Sequence, residues 1–296
     1  MWTRTTPSSP DLTVAAPGEH PEGGDRRLWT RVRLDIAYDG TDFSGWAAQP
    51  DRRTVAGVLT GTLSRVVGPI EGLTVAGRTD AGVHATGQVS HVDIPADRWA
   101  AVGDTLVHRL AGLLPPDVRV LAATAVPDTF DARFSALFRR YEYRVSDAVW
   151  GAPPLRHRDT LAWPRRLDLD ALNRASAALL GEHDFAAYCR RKEQATTIRT
   201  ITRLGWHRDE AGIATATVEA DAFCQAMVRS LVGALLTVGD GRRSPGWPAL
   251  LLSRRERASE VMVAPPHGLT LVEVGYPDEA GYAERAQRTR QRRGVV

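Results

Sequence analysis

The chain has only two cysteines, Cys189 and Cys224, in 296 residues. That is too few for a disulfide framework, and no Cys-x-x-Cys or His-x-x-x-His spacing offers the start of a zinc site. No metal is expected. Long apolar runs are missing as well. Nothing approaches the ~20 residues of a membrane helix, and Met1 to Trp29 holds no apolar core of signal-peptide length. A cytoplasmic location is expected. Charge of one sign is also scarce: 38 basic residues face 35 acidic ones, a net of +3. That small excess, weighted toward arginine, admits a polyanionic partner without demanding one. With 43% apolar and 25% charged residues, the composition is that of a globular protein long enough for two domains.

What is present begins after residue 30. Residues 1–30 are rich in Pro, Gly, Thr and Glu and read as a disordered tail. From there Val32, Leu34, Ile36 and Tyr38 alternate with Arg31, Arg33 and Asp35, the period of a half-buried strand. Thr54 caps a helix with Val55, Val58, Leu59, Val66 and Val67 on one face, and Gly68-Pro69 stops it. Two strands follow, around Leu73–Val75 and Gln88–Ile94. A helix from Asp97 to Leu113 and a strand around Val118–Thr124 complete the half. That order is β-α-β-β-α-β. Residues 133–277 repeat it: a strand at Tyr141–Val145, a helix opened by Asp168 or Asp170, strands near Thr197–His207 and Ile213–Ala220, the apolar helix Phe223–Val238, and a last strand Leu269–Val274. The fold class expected is α+β, with two ferredoxin-like domains, 31–132 and 133–277, whose sheets make a cleft between them. Residues 278–296, with Arg285, Arg288, Arg290, Arg292 and Arg293, read first as a solvated basic tail and second as a nucleic-acid contact.

Chemistry concentrates at Gly77-Arg78-Thr79-Asp80-Ala81-Gly82-Val83-His84. Glycines there permit tight turns and close approach of another backbone. Asp80 is either a turn residue bonding its own backbone or a reacting carboxylate flanked by Arg78. Three other features bear on that choice. Arg139-Arg140-Tyr141-Glu142-Tyr143 interleaves cations with aromatics, as in sheets that stack bases and follow phosphates; alternatively the tyrosines only pack a core. Arg229 lies within an apolar helix, where a buried guanidinium needs a carboxylate such as Asp80, unless it sits on an exposed edge. Arg133, between Phe130 and Phe134, either lies over apolar surface or grips a phosphate. Neither His84 nor His91 is assigned a proton. Three functions remain open: an RNA isomerase, a non-catalytic RNA binder, and an aspartate hydrolase.

The Gly77–His84 segment resembles the catalytic motif of the A-type tRNA pseudouridine synthases, enzymes of the anticodon stem-loop. Tyr38-Asp39-Gly40-Thr41-Asp42-Phe43-Ser44-Gly45-Trp46, Phe130 to Tyr143, Gly181-Glu182-His183-Asp184-Phe185 and Met227-Val228-Arg229 through Gly233 resemble the same family in the same order. The resemblance spans about Arg33 to Pro277. It implies a nucleophilic Asp80, Tyr141 stacked on the target uracil, Arg229 paired with Asp80, no metal or organic cofactor, and a homodimer clamping one tRNA. Arg78, Arg133, Arg139 and Arg140 are the expected RNA contacts. Ala47, Ala226, Ser230 and the Arg109–Pro115 stretch depart from the family pattern.

Overall fold

In β1 (Trp29–Tyr38), Val32, Leu34, Ile36 and Tyr38 are buried while the residues between them stay half-exposed, the alternation of a strand with one face on a core. The structure, a computed structural model, describes residues 28–190 and 196–292. The expected tail falls outside the described residues as far as 27. Trp29 and Thr30 do not belong to it, since they pair with Pro95 and Ile94. After β1, the Thr54 hydroxyl accepts the Gly57 amide at 3.2 Å and starts α1 (Val55–Val67). Then come β2 (Glu71–Val75) and β3 (His84–Pro95). The single helix expected from Asp97 is two, α2 (Ala96–Val102) and α3 (Leu106–Leu113), separated by a 3₁₀ turn beginning at Gly103. Glycine is a poor helix former, and it sits at the break. β4 (Val118–Ala125) closes this half.

The second half runs β5 (Phe138–Ser146), the short β6 (Leu161–Ala162), and α4 (Leu169–Ala177), capped by Asp168. Next are β7 (Gly181–Asp184), β8 (Ile198–Arg208) and β9 (Ala214–Ala220). α5 (Met227–Gly239), α6 (Trp247–Leu250), β10 (Leu269–Gly275) and α7 (Tyr282–Arg292) follow. α5 begins four residues later than expected because Ala226 takes a left-handed φ of 63°, which an α-helix cannot include. It is buried on most of its circumference. The expected basic tail is largely α7, a docked helix. Tyr282, Ala286 and Thr289 form its buried stripe, and the Tyr282 ring lies 4.9 Å from that of Phe130. Periodicity in so polar a segment rests on these three residues alone.

The described strands form one mostly antiparallel sheet, in the order β4-β1-β3-β10-β5-β9-β8-β7, with β2 on β3 and β6 on β5. Helices flank it: α3 packs on β4 and α1, and α4 on β8 and α5. Two separate sheets were expected, but the halves are continuous because β10, the last strand, enters between them. It pairs parallel with β3 at His84 and Ala85, and antiparallel with β5. Gly87 permits this contact, since a Cβ there would lie 2.1 Å from the Val272 carbonyl oxygen. The two cysteines, too few for a framework, are nonetheless joined to each other, with Cα atoms 5.7 Å apart.

Candidate active site

The Asp80 loop emerges at the seam between the halves. β2 occupies one edge of β3 at residues 90–93, and β10 takes over that edge at His84 and Ala85. The loop that bridges β2 and β3 therefore faces the second half directly. Its backbone is held from several sides. The Trp46 amide donates to the Thr79 carbonyl at 3.1 Å and the Gly82 amide to that of Phe43 at 3.3 Å. Gly82 has a φ of +76° and a Cβ there would meet Pro266 at 2.9 Å, so the turn requires glycine. Below the loop, Tyr38 and Thr79 hydroxyls meet at 2.7 Å, and the fully buried Gln88 amide donates to Tyr38 at 3.2 Å and to the Gly77 carbonyl at 2.9 Å. Burial pushes the Tyr38 phenol up to about 12, so it remains a neutral hydrogen-bonding post.

His84 ties down the loop's far end. Its Nδ1 accepts the Gly40 amide at 3.0 Å, which leaves Nε2–H to donate to the carbonyls of Arg158 and His267 at 2.8 and 3.0 Å. His91 likewise accepts the Ala132 amide, at 3.0 Å. Both histidines hold backbone in place.

The Asp80 carboxylate makes no bond to its own turn. Among the described residues its recorded partner is Arg229, whose Nη1 lies 3.5 Å from Oδ2, and the two side chains are 19% (Arg229) and 36% (Asp80) exposed. Arg229 itself is anchored by donating Nε to the Ala264 carbonyl at 2.7 Å. Asp80 and Arg229, 149 residues apart in sequence, thus meet across the seam.

Tyr141 sits on β5, between Leu271 of β10 and Val218 of β9. The ring is 8% exposed and packs edge-on against Phe223 at 5.3 Å. Its hydroxyl has no hydrogen-bond partner among the described residues. Burial, with smaller contributions from Tyr38 and the Asp80 charge, raises its pKa well above the ordinary phenol value. Phe223 was not singled out from sequence. Its only local signal was an aromatic residue just ahead of an apolar helix.

The four expected RNA arginines separate into two groups. Arg139 is 4% exposed and donates to the carbonyls of Asp221, Ala76 and Arg133 at 2.9, 2.8 and 2.7 Å. It is a buried clasp between the halves. Arg140 points to the opposite face from Tyr141, as strand alternation requires, and is bound by Glu219 at 2.7 Å and by Glu273. Arg78 and Arg133, in contrast, are exposed and have no carboxylate partner among the described residues. Arg133 lies over the Phe134 ring at 4.9 Å, and its pKa is lowered by partial desolvation and then by the nearby Arg78 charge.

Among the described residues no group of three His, Cys, Asp or Glu side chains could hold a metal ion, and no helix is long and apolar enough to cross a membrane. A cavity of about 320 Å³ lies beside Cys189, Arg190 and Arg255 and one of about 460 Å³ beside Arg65 and His108. Neither borders Asp80, whose site is open to solvent.

The Asp80 carboxylate, held by Arg229 and a third exposed, is thus a polar group reached by solvent at the seam between the halves. Comparison with known proteins supplies the family. A family model described as tRNA pseudouridine synthase matches residues 175–277. The tRNA pseudouridine synthase A of Frankia casuarinae is 57% identical over 261 residues, covering 88% of this chain and 94% of that one. The proteins of that name from Streptomyces griseus and Mycobacterium leprae are 56% and 53% identical, covering 88% and 89% of this chain and 93% and 95% of theirs. The chain belongs to the tRNA pseudouridine synthase family.

Proposed function

We propose that this protein isomerises uridine to pseudouridine in the anticodon stem-loop of tRNA, with Asp80 as the reacting carboxylate. The observation that carries this reading is the Asp80–Arg229 pair at 3.5 Å, formed across the seam and open on one side. The reaction breaks the N1–C1′ bond, turns the uracil, and joins C5 to C1′. N1 gains a proton and C5 releases one. No electrons are exchanged, so no redox cofactor is called for. An ionised Asp80 either adds covalently or takes the C2′ proton, and each use needs the anion. Arg229 aims it, with Nη1 at 3.5 Å from Oδ2. Tyr141 forms the wall against which the detached base is held. Extruding the uridine costs a few kcal/mol, offset by phosphate contacts from Arg78 and Arg133. A non-catalytic RNA binder would have no use for the paired carboxylate.

The strand orders β4-β1-β3-β2 and β10-β5-β9-β8 support reading each half as a ferredoxin-like unit, with residues 31–132 and 133–277 joined through β10. The exposed Val149, Trp150 and Leu155 support a homodimer, since soluble chains seldom leave a cluster of such apolar side chains uncovered. The absence of a membrane helix among the described residues is consistent with a cytoplasmic enzyme. Unmodified tRNA carrying tritium at uridine C5 tests the function, because the new C5–C1′ bond expels that tritium to water. Retention of the label after prolonged incubation would refute it.

Arg229→Met is expected to lower turnover by about tenfold to a hundredfold, through loss of charge assistance at Asp80. Its effect on stability is smaller. A pair this exposed contributes less than about 1 kcal/mol, and the buried Ala264 carbonyl left without its donor adds about 1–3 kcal/mol. Tritium release and thermal melting measured side by side check both. Full activity would show that the pair is irrelevant to the chemistry.

A further inference from the structure

The arginines of α7 remain unused by the site. The segment Tyr282–Arg292 carries four arginines against one acid, Glu284, and lies beyond the segment matched by the family model. A charge run on a free tail is ordinarily solvated, but this one is held in a fixed orientation. Tyr282, Ala286 and Thr289 face the core. The Tyr282 carbonyl accepts the buried Ser135 hydroxyl at 3.2 Å, and Arg285 donates to the Ala136 carbonyl at 3.1 Å. Arg288 and Arg290 are thereby left on the outward side.

That side is continuous with the active site. Arg290 and Arg133 each lie 4.9 Å from the centre of the Phe134 ring, so their guanidinium carbons are no more than about 10 Å apart. Arg133 in turn feels the charge of Arg78, two residues from Asp80. The acids that touch the outer arginines are Glu284 on Arg288 and Asp131 on Arg290, at 2.8 and 2.9 Å. The Arg288–Glu284 pair is exposed on both sides, and the Arg290 head is about half exposed while Asp131 is mostly buried; exposed pairs of this kind contribute little and leave the cations open to a phosphate. We infer that α7 is an RNA-backbone-binding element, which extends a cationic track from Arg78 through Arg133 to Arg290 and Arg288. This rests on the isomerase reading for the identity of the RNA as tRNA.

The test measures tRNA binding against salt concentration for wild type, Arg288→Gln/Arg290→Gln and Arg288→Lys/Arg290→Lys. The glutamine pair should lower the magnitude of the log–log salt slope by about two and raise the Kd roughly tenfold or more near 0.1 M salt. Turnover at saturating tRNA should stay at the wild-type value. The lysine pair, which keeps the charge, should keep the slope. An unchanged slope in the glutamine pair would overturn the inference. So would a loss in saturating turnover or melting temperature that the lysine pair fails to restore, since that would make α7 a structural brace only. Should wild type release no tritium, the isomerase reading falls while the binding data still decide the role of α7.

Discussion

Asp80→Asn should bind tRNA within about threefold of wild type and release C5 tritium at least about a thousandfold more slowly. The substitution is nearly isosteric, so the loop bonds from Trp46, Gly82 and Gln88, none of which uses the carboxylate, stay in place. What is lost is the anion. A neutral amide neither attacks carbon nor takes a proton at neutral pH, and removing a group of either kind ordinarily costs two or more orders of magnitude. The variant also removes the partner of Arg229. The Arg229 guanidinium keeps its bond to the Ala264 carbonyl and a neutral amide oxygen in place of the carboxylate, so melting should shift little. Near-normal tritium release would take Asp80 out of the reaction and return the open question to the RNA binder.

The position of Asp80 explains why so small a loop organises the whole chain. It sits where β2 ends its pairing with β3 and β10 begins. The same few residues are thus held by the first half through Tyr38, Trp46 and Gln88, and by the second through Arg139, which donates to the Ala76 carbonyl, and Arg229. Both arginines span the seam, yet they do different work. Arg139 donates to three carbonyls, whereas Arg229 uses one donor on Ala264 and turns another toward the carboxylate.

Much of this was legible in the residues because the signals are local. The period-2 runs of β1 and β5, the Thr54 and Asp168 caps, and the glycine-bracketed Asp80 motif each declare themselves within ten residues or so. Arg229 was legible for a different reason, since a charge within an apolar helix demands a partner. What stayed hidden depends on tertiary neighbours. No pattern in β10 says that it will enter between β3 and β5 and merge two sheets. Arg139 and Arg140 look alike in sequence, but strand alternation sends one into the core and the other to the far face, where glutamates already wait. Phe223 meets Tyr141 just ahead of the left-handed Ala226 that precedes α5. The α7 stripe, with alanine and threonine as two of its three members, is too faint against four arginines to be read as a buried face.

Tyr141 is expected to separate two roles within one side chain. Tyr141→Ala removes the wall against the uracil. It should lose on the order of 1–3 kcal/mol of stacking, appearing as a roughly tenfold to hundredfold fall in turnover. It also opens a cavity beside Phe223, so melting should drop by the several degrees that about 3 kcal/mol or more represents for a chain of this size. Tyr141→Phe keeps the ring and the contact with Phe223. The hydroxyl it deletes has no protein partner among the described residues, which leaves it free to meet the substrate. Tyr141→Phe should therefore bind tRNA as wild type does, melt no lower, and isomerise about a hundredfold more slowly if the neutral hydroxyl relays the C5 proton, passing its own proton to water as it takes the one from C5. Burial holds the group as a neutral phenol throughout the neutral range, so the ratio of wild-type to Phe turnover should be flat between about pH 6 and 8. Wild-type turnover in Tyr141→Phe with a loss only in Tyr141→Ala would confine the residue to stacking. Wild-type behaviour in both variants, in binding and in turnover, would make Tyr141 a core residue and remove the base-holding wall from the mechanism.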